Sequence, residues 1–151
     1  MKPKYVYHGS PNGNIKIFEP RNPNDVGRSK HNLHKGVYAT KLKKWAMILG
    51  ILAGKGIKCS RINIESKRIE GIIFGGKSTQ KYFYVYTFDS DKFRNIPVNS
   101  HQYICREEIK PLKVEKFLVK DYLKWIRYAN DREIKNLRNM VGDKKMKEIL
   151  G

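Results

Sequence analysis

Short stretches of alternating apolar and polar residues run through most of the chain, a pattern typical of half-buried β-strands. The clearest is residues 81–88, which is rich in aromatic and β-branched side chains. Polar and turn-forming residues separate these stretches, as between strands of a sheet. The pattern predicts strands over residues 4–8, 36–40, 57–64, 68–74, 81–88, 101–106 and 112–119.

Two regions have helical spacing instead. Apolar residues recur at helical intervals over residues 42–53 and occupy more than one face, so a largely buried helix is expected there. Thr40 is expected to cap the N-terminus of this helix. Residues 119–141 again show helical spacing, with lysine and arginine on the polar face. A basic helical segment is therefore predicted at the C-terminal end.

These elements predict an α+β fold with a split, mostly antiparallel β-sheet core. The helix that follows the second strand would pack against this sheet. Residues 1–118 are expected to form the sheet-containing domain, and residues 119–151 a helical extension of the same domain. The sequence contains no internal repeat or low-complexity linker that would mark a further boundary.

The chain carries a formal net charge of +18 over 151 residues, and 40% of its residues are hydrophobic. That hydrophobic fraction is sufficient for one folded domain. The charge favours polyanionic partners, through long-range attraction and counterion release. RNA or DNA is the first partner expected and an acidic protein the second. A codon bias toward lysine would raise the charge without any such partner.

Cysteine usage and apolar runs indicate where the protein acts. Cys59 and Cys105 have no metal-ligand spacing, so no metal is expected. Two cysteines form no disulfide framework, and a single disulfide between them stays open. The longest apolar run, residues 45–53, is about half the length of a membrane-spanning helix. The N-terminal residues contain no apolar signal region. We expect a soluble, cytoplasmic protein without a membrane partner, and the oligomeric state stays open.

A polar triplet, His8-Gly9-Ser10, ends the first predicted strand and is a candidate ligand site. Glycine lets the backbone approach a ligand closely, and the histidine and serine side chains flank it. The turn-forming residues 11–14 are also compatible with a plain edge strand that enters a turn.

The predicted loop over residues 11–35 is long and basic in its second half. Loops of this length are usually functional or mobile, and this one suits a phosphate-bearing ligand. His31 and His34 lie in it, three residues apart. Because no carboxylate or cysteine is near them in sequence, they are expected to be a surface pair and not metal ligands.

Three segments resemble the ADP-ribosyltransferase superfamily, on its diphtheria-toxin and poly(ADP-ribose) polymerase side. Tyr-His-Gly-Ser occupies residues 7–10, and Gly-Val-Tyr-Ala-Thr occupies residues 36–40 and leads directly into a helix. Asn-Ser-His-Gln-Tyr-Ile-Cys occupies residues 99–105 and precedes Ile-Lys-Pro at 109–111. The resemblance covers roughly residues 4–118. It implies that the protein binds NAD as a substrate.

The resemblance also implies roles for individual residues. His8 would hydrogen-bond the adenosine-side ribose of NAD, and Gly9 would present its backbone to the nicotinamide amide. Ser10 would be the small hydroxyl residue beside the histidine, and Tyr38 would stack on the nicotinamide ring. The NAD-binding residues expected on this basis are His8, Gly9, Ser10, Tyr38, Arg21 and Arg28.

The third position of the family signature, normally a glutamate before an aromatic residue, reads Gln102-Tyr103 in this chain. Cleavage of the nicotinamide–ribose bond develops positive charge on the sugar, which a carboxylate stabilises and a glutamine does not. The catalytic set would be His8, Tyr38 and Gln102, with Glu107 or Glu108 as alternative acids after a register shift. A slow transferase of single ADP-ribose units is favoured, and an NAD-binding relative without activity is the alternative.

The basic surface bears on the acceptor, because some members of the superfamily modify DNA or RNA instead of protein. The candidate nucleic-acid face is Lys30, Lys35, Lys124 and Arg127. A non-catalytic nucleic-acid-binding domain is a competing interpretation, in which Tyr82, Tyr84 and Tyr86 would stack on bases. RNA 2′-phosphotransferase chemistry is disfavoured because its arginine–histidine–arginine set has no convincing copy. A small nuclease is disfavoured because His8 has no second strand histidine as a partner.

Overall fold

The structure is a computed structural model that describes residues 2–22, 35–65 and 68–151. Its strands are β1 Tyr5–Ser10, β2 Val37–Thr40, β3 Ile57–Glu65, β4 Arg68–Gly76, β5 Tyr82–Asp89, β6 Arg94–Asn95, β7 Gln102–Cys105, β8 Lys113–Leu118 and β9 Ile126–Tyr128. Its α-helices are α1 Lys43–Leu52, α2 Asp131–Val141 and α3 Asp143–Leu150, and 3-10 helices occur at Ser90–Lys92 and Val119–Trp125.

Two sheets make up the β-structure of the described residues. Six strands form an antiparallel sheet in the order β6-β7-β2-β1-β5-β8, and three strands form a second sheet in the order β3-β4-β9. Within the second sheet β3 and β4 are antiparallel, whereas β9 joins β4 in parallel. The expected α+β fold with a mostly antiparallel sheet is confirmed.

Helix α1 packs against both sheets, which explains why its apolar residues occupy more than one face. Ala46, Met47 and Ile51 pack on Phe83 and Val85 of β5 in the six-stranded sheet. Two other residues of the helix, Ile48 and Leu52, form a cluster with Ile73 of β4 in the second sheet. A helix buried on two sides needs apolar residues around most of its circumference.

The two faces of the six-stranded sheet have different partners. Val6, Tyr86 and Phe88 belong to a core cluster that is capped by Phe18, and the register pairs His8 with Tyr86, so His8 projects from this face. We call it the His8 face. The opposite face carries Phe83 and is covered by α1, and we call it the α1 face. Residues paired across antiparallel strands share a face, and neighbours along one strand alternate.

The predicted strands are all present, but two predictions about helices are wrong. Helix α1 has Leu42 as its N-cap, and Thr40 instead accepts a hydrogen bond from the Leu42 amide to its hydroxyl at 3.1 Å. Residues 126–128 are strand β9 and not helix, because their backbone pairs with β4. The helix that follows begins only at Asp131, and the side chain of its N-cap, Asn130, forms a capping box with Glu133.

A cluster of three charged residues joins β4, β9 and α2. The Arg127 guanidinium donates to both carboxylate oxygens of Glu133, at 2.7 and 2.9 Å, and to Glu70 at 3.2 Å. Hydrogen bonds from Arg127, and then from the Asn130 amide, lower the pKa of Glu133 to about 2 from its ordinary 4.5. A carboxyl group with a depressed pKa stabilises the fold above its unfolded pKa and loses that contribution as the pH falls.

Replacement of Arg127 by methionine is expected to lower the free energy of unfolding by about 2 kcal/mol at neutral pH, because two carboxylates lose their partner. Wild-type stability should fall between the unfolded pKa of Glu133, 4.5, and its folded pKa of about 2. The variant should show a smaller decrease in that window, as measured by urea unfolding. Arg68→Met is the matched control, since Arg68 is 81% exposed and 3.7 Å from Glu70. An equal loss in both variants would contradict the special role of Arg127.

Candidate functional site

The sheet opens between β1 and β2. β1 pairs with β5 along its whole length, from Tyr5 to Ser10, whereas its ladder with β2 contains the single pair Tyr7–Thr40. Gly36, the residue just before β2, pairs with Arg21 and not with β1, through two backbone hydrogen bonds of 3.0 Å. The two strands therefore part beyond Tyr7.

Backbone groups on both sides point into this opening. The Lys4 carbonyl accepts a hydrogen bond from the Ser90 amide, so the backbone amides and carbonyls of even-numbered residues in β1 point toward β5. Those of odd-numbered residues, including Gly9, point toward β2. The Lys41 amide donates to the His101 backbone carbonyl, so the backbone groups of odd-numbered residues in β2 point toward β7 and those of even-numbered residues toward β1. The carbonyl of Tyr38 consequently faces β1.

The His8 side chain spans the opening. Its Nδ1 lies 2.8 Å from the Tyr38 carbonyl oxygen, and because a carbonyl only accepts, Nδ1 carries the hydrogen. Nε2 of the neutral ring is then a hydrogen-bond acceptor. Burial lowers the pKa of His8 below its ordinary value, the hydrogen bond to Tyr38 opposes this shift, and the positive charge of Arg21 adds to it. These effects keep the ring neutral at physiological pH.

Phe18 holds the other side of the imidazole. Its ring meets that of His8 edge to face, at 5.0 Å between centroids and an interplanar angle of 72°. Phe18 is itself fixed by backbone hydrogen bonds to Ile109 and by edge contacts with Tyr86 and Phe88. The sequence marks Phe18 only as an apolar residue in a polar stretch, so its contact with His8 was missed.

Gly9 is required by packing, independently of any ligand. A Cβ atom built on Gly9 would lie 1.7 Å from the Ala46 carbonyl oxygen and 2.6 Å from the Gly50 nitrogen of α1. Helix α1 therefore crosses β1 in contact with its backbone, and only glycine fits at this crossing. The amide and carbonyl of Gly9 still face the opening, so packing and ligand contact are compatible.

The remaining expected NAD-binding residues differ in their surroundings. Ser10 is buried, and its hydroxyl accepts from the Asn12 amide at 3.1 Å, which fixes the turn after β1. Arg21 is exposed, but its charge acts on His8. Arg28, like His31 and His34, lies outside the described residues.

Tyr38 and Gln102 project from the α1 face, opposite to His8. The register pairs Tyr7 with Thr40 and Thr40 with Gln102, which puts these side chains and that of Tyr38 on one face. His8 thus contacts the backbone of Tyr38 from the other face. The structure brings Gln102 and Tyr38 together on neighbouring strands, and His8 reaches them only through the opening.

Gln102 is held in a local hydrogen-bond network. Its Nε2 donates to the Ile96 carbonyl at 2.8 Å, and its backbone carbonyl accepts from the Asn95 side chain at 2.9 Å. These bonds shape the connection between β6 and β7. The side-chain oxygen Oε1 is left as the group that can accept from a ligand hydroxyl.

The two alternative acids lie beyond the far end of β7. Glu107 is exposed and pairs with Lys92 at 2.8 Å, while Glu108 is exposed. Cys105, just before them, pairs with Val37, whereas Gln102 pairs with Thr40 at the other end of β2. A glutamate at 107 or 108 would need a register shift of β7 to replace Gln102.

The residues predicted to form a nucleic-acid face differ in how available they are to a ligand. Arg127 is engaged by Glu70 and Glu133, whose hydrogen bonds raise its pKa further, so it is not available for a phosphate. Lys35 and Lys124 are exposed, and Lys30 lies outside the described residues. Tyr86 is fully buried and donates its hydroxyl to the Asn12 carbonyl, which removes it from any stacking surface.

His101 is a neighbour of Gln102 that the sequence did not single out as a site residue. Its ring meets that of Trp45 edge to face at 5.7 Å. Its Nδ1 is buried, without a hydrogen-bond partner among the described residues. Burial and the charge of Lys41 lower the pKa of His101. His101 therefore places a second neutral imidazole, in addition to that of His8, at the end of β7 where Gln102 lies.

Other features lie apart from the opening. A shallow hollow of about 400 Å³ is lined by Arg138, Asp143, Lys147, Leu150 and Gly151 on the α2–α3 pair. Within residues 2–22, 35–65 and 68–151, no three His, Cys, Asp or Glu side chains cluster as metal ligands would. In the same residues no helix has the length and apolar character needed to cross a bilayer.

Comparisons with protein-family models, with curated proteins and with solved structures give no match to this chain.

Proposed function

We propose that the protein is an NAD-dependent mono-ADP-ribosyltransferase that transfers ADP-ribose to a macromolecular acceptor, with nucleic acid favoured by the charge of +18. One observation carries the proposal. His8 donates from Nδ1 to the Tyr38 carbonyl across the point where β1 and β2 part. Two of the three motifs that resemble the transferase superfamily are in contact at this point, and the third lies on β7, the strand next to β2.

A ligand that uses these residues would lie across the opening and not on one face. On the His8 side, Nε2 accepts a hydrogen bond from a ribose hydroxyl, since Nδ1 is already committed. The backbone of Gly9 offers one donor and one acceptor, the pair that a carboxamide such as that of nicotinamide requires. The Tyr38 ring, on the α1 face, is the stacking surface for the nicotinamide.

The reaction breaks the bond between the nicotinamide nitrogen and ribose C1′, and the electron pair leaves with nicotinamide. A nucleophilic atom of the acceptor bonds to C1′ and loses its proton to solvent. Positive charge develops on the sugar as the bond breaks. Gln102 holds a hydroxyl but supplies no negative charge, so turnover is expected to be slow.

The test uses NAD labelled in its adenylate phosphate, incubated with a mixture of cellular RNA, DNA and protein. Release of nicotinamide and transfer of label to one class of acceptor are expected. His8→Ala and Tyr38→Ala should each lower the rate at least about tenfold, because each removes a contact that holds NAD. Tyr128→Ala is the matched control, since Tyr128 is 60% exposed on β9 in the second sheet.

Circular dichroism establishes that each variant is folded before its rate is compared. Equal rates in the wild type and the folded His8→Ala variant would contradict the proposal.

A second candidate is an NAD-binding protein without turnover. It is favoured by one observation, that the side-chain amide of Gln102 is already bonded to Ile96 at 2.8 Å. This candidate predicts that NAD raises the melting temperature while no nicotinamide appears. An absence of both turnover and thermal protection would exclude the two NAD-dependent functions together.

A further inference from the structure

The outer end of β5 and the edge strand β8 form a second surface on the His8 face. The register pairs Tyr84 with Lys116 and Tyr82 with Leu118, so these four side chains share that face. β8 is the edge of the six-stranded sheet, and Lys116 is exposed there. We call these residues, together with Lys81, the Tyr82 platform.

The three alternating tyrosines of β5 differ in their surroundings on this face. Tyr86 is fully buried. Tyr84 is covered by the turn after β1, because a Cβ atom on Gly13 would lie 2.4 Å from its ring. Tyr82 is partly exposed and lies beyond Tyr84, the last residue of β5 that pairs with β1.

Two lysines flank the Tyr82 ring. The Lys116 ammonium lies 4.0 Å from the ring centroid and the Lys81 ammonium 5.4 Å from it. The residues of β8 on this face are Val114, Lys116 and Leu118, none of them acidic. The one acid of the strand, Glu115, projects from the opposite face, where Lys43 pairs with it at 2.7 Å.

We propose that the Tyr82 platform binds single-stranded nucleic acid. An unpaired base stacks on the Tyr82 ring, and the ammonium groups of Lys81 and Lys116 contact the flanking phosphates. An aromatic ring beside uncompensated cations is the combination that single-strand binding uses. Lysine contacts over an exposed ring are weak and mobile, so an incoming base displaces Lys116 toward a phosphate.

The platform lies on the same sheet face as His8. Ser10, Tyr84 and Lys116 are paired in one row across three strands, which puts Lys116 about 10 Å from β1. As the acceptor site of the transferase, the platform rests on the proposed function. As a binding site for a single strand it does not, and its test contains no NAD.

The test measures fluorescence anisotropy of a short labelled oligouridine or oligothymidine over a range of salt concentrations. Tyr82→Ala should raise the Kd roughly tenfold at every salt concentration, and Tyr82→Phe should leave it unchanged. Lys116→Gln should reduce the salt slope by about one phosphate contact. Because Lys116 is exposed and Tyr82 is partly exposed, the three variants are expected to keep the wild-type melting temperature.

Two control variants separate this surface from general basicity. Tyr128→Ala removes another exposed tyrosine on the second sheet, and Lys120→Gln removes an exposed lysine of the 3-10 helix Val119–Trp125. Neither should raise the Kd as Tyr82→Ala does. An unchanged Kd in Tyr82→Ala would overturn the proposal, and so would a duplex bound as tightly as the single strand. Equal competition by polyglutamate would also overturn it, because it would show an acidic polymer to be as good a ligand.

Discussion

Replacement of Gly9 by alanine is expected to lower the free energy of unfolding by about 3 kcal/mol or more. The added methyl group would lie 1.7 Å from the Ala46 carbonyl oxygen, a backbone atom that cannot rotate away. The clash separates α1 from β1, and α1 is also the helix that joins the six-stranded sheet to β4. In a chain of this size the loss corresponds to a melting temperature about 10 °C lower.

Gly50→Ala is the matched control for this prediction, because it tests the same crossing from the helix side. A Cβ atom there would lie 3.0 Å from the Phe83 ring and 3.2 Å from the Ser10 nitrogen. The tight contact offsets a gain in helix propensity of about 1 kcal/mol, so the variant should be nearly as stable as the wild type. If Gly9→Ala kept the wild-type melting temperature but lost NAD binding, the ligand would account for the glycine and packing would not.

Replacement of Gln102 by glutamate is expected to raise the rate of nicotinamide release about 10²-fold and to destabilise the protein. The carboxylate supplies a negative charge that stabilises the positive charge developing on the ribose, which the glutamine of the wild type does not do. Electrostatic contacts of this kind raise reaction rates by factors of about 10² to 10³. The loss of stability has a separate cause. The Nε2 donor to the Ile96 carbonyl disappears, and a carboxylate oxygen takes its place. The unpaired carbonyl and the repulsion together cost about 1–3 kcal/mol.

Gln102→Ala separates these two effects, since it removes the same hydrogen bond without adding charge. It should lose a similar amount of stability in a thermal melt and gain no rate. A Gln102→Glu variant with no increase in nicotinamide release would argue against Gln102 as the third residue of the catalytic set. A variant that melts at the wild-type temperature would argue against the contribution of the bond to Ile96.

The opposite orientations of His8 and Tyr38 have a consequence for the proposed chemistry. A ligand confined to the His8 face meets Nε2, whereas one confined to the α1 face meets the Tyr38 ring and Gln102, and the backbone of Gly9 faces the opening between them. NAD has two nucleoside ends, so under the proposed function one end contacts His8 and the other contacts Tyr38 and Gln102. His8→Ala and Tyr38→Ala should then weaken opposite ends of the same ligand.

The large positive charge is only partly available for binding a polyanion. Arg127 is neutralised by two carboxylates, Lys43 is paired with Glu115, and Lys92 is paired with Glu107. Net charge describes the attraction at long range, but a binding site needs cations that keep no acidic partner. This criterion favours Lys81 and Lys116 over Arg127.

The sequence by itself determined the local elements. Alternating apolar residues predicted the strands, because the period of side-chain burial is a local property of a half-buried strand. Apolar residues around the circumference of residues 43–52 predicted a buried helix, and the reason is its position between two sheets. The strand at 126–128 was missed because its β-structure depends on pairing with β4, which is distant in sequence.

Only the tertiary structure decided how the candidate residues are arranged. The ladder between β1 and β2 contains one pair, and from this follow the opening, the reach of His8 to the Tyr38 carbonyl and the opposite faces of the motif residues. The same is true of the Gln102 bond to Ile96, the burial of Tyr86 and the partial exposure of Tyr82. The physical reason is that strand register and helix crossing depend on contacts between distant segments, whereas spacing along the chain reports only which side chains are buried.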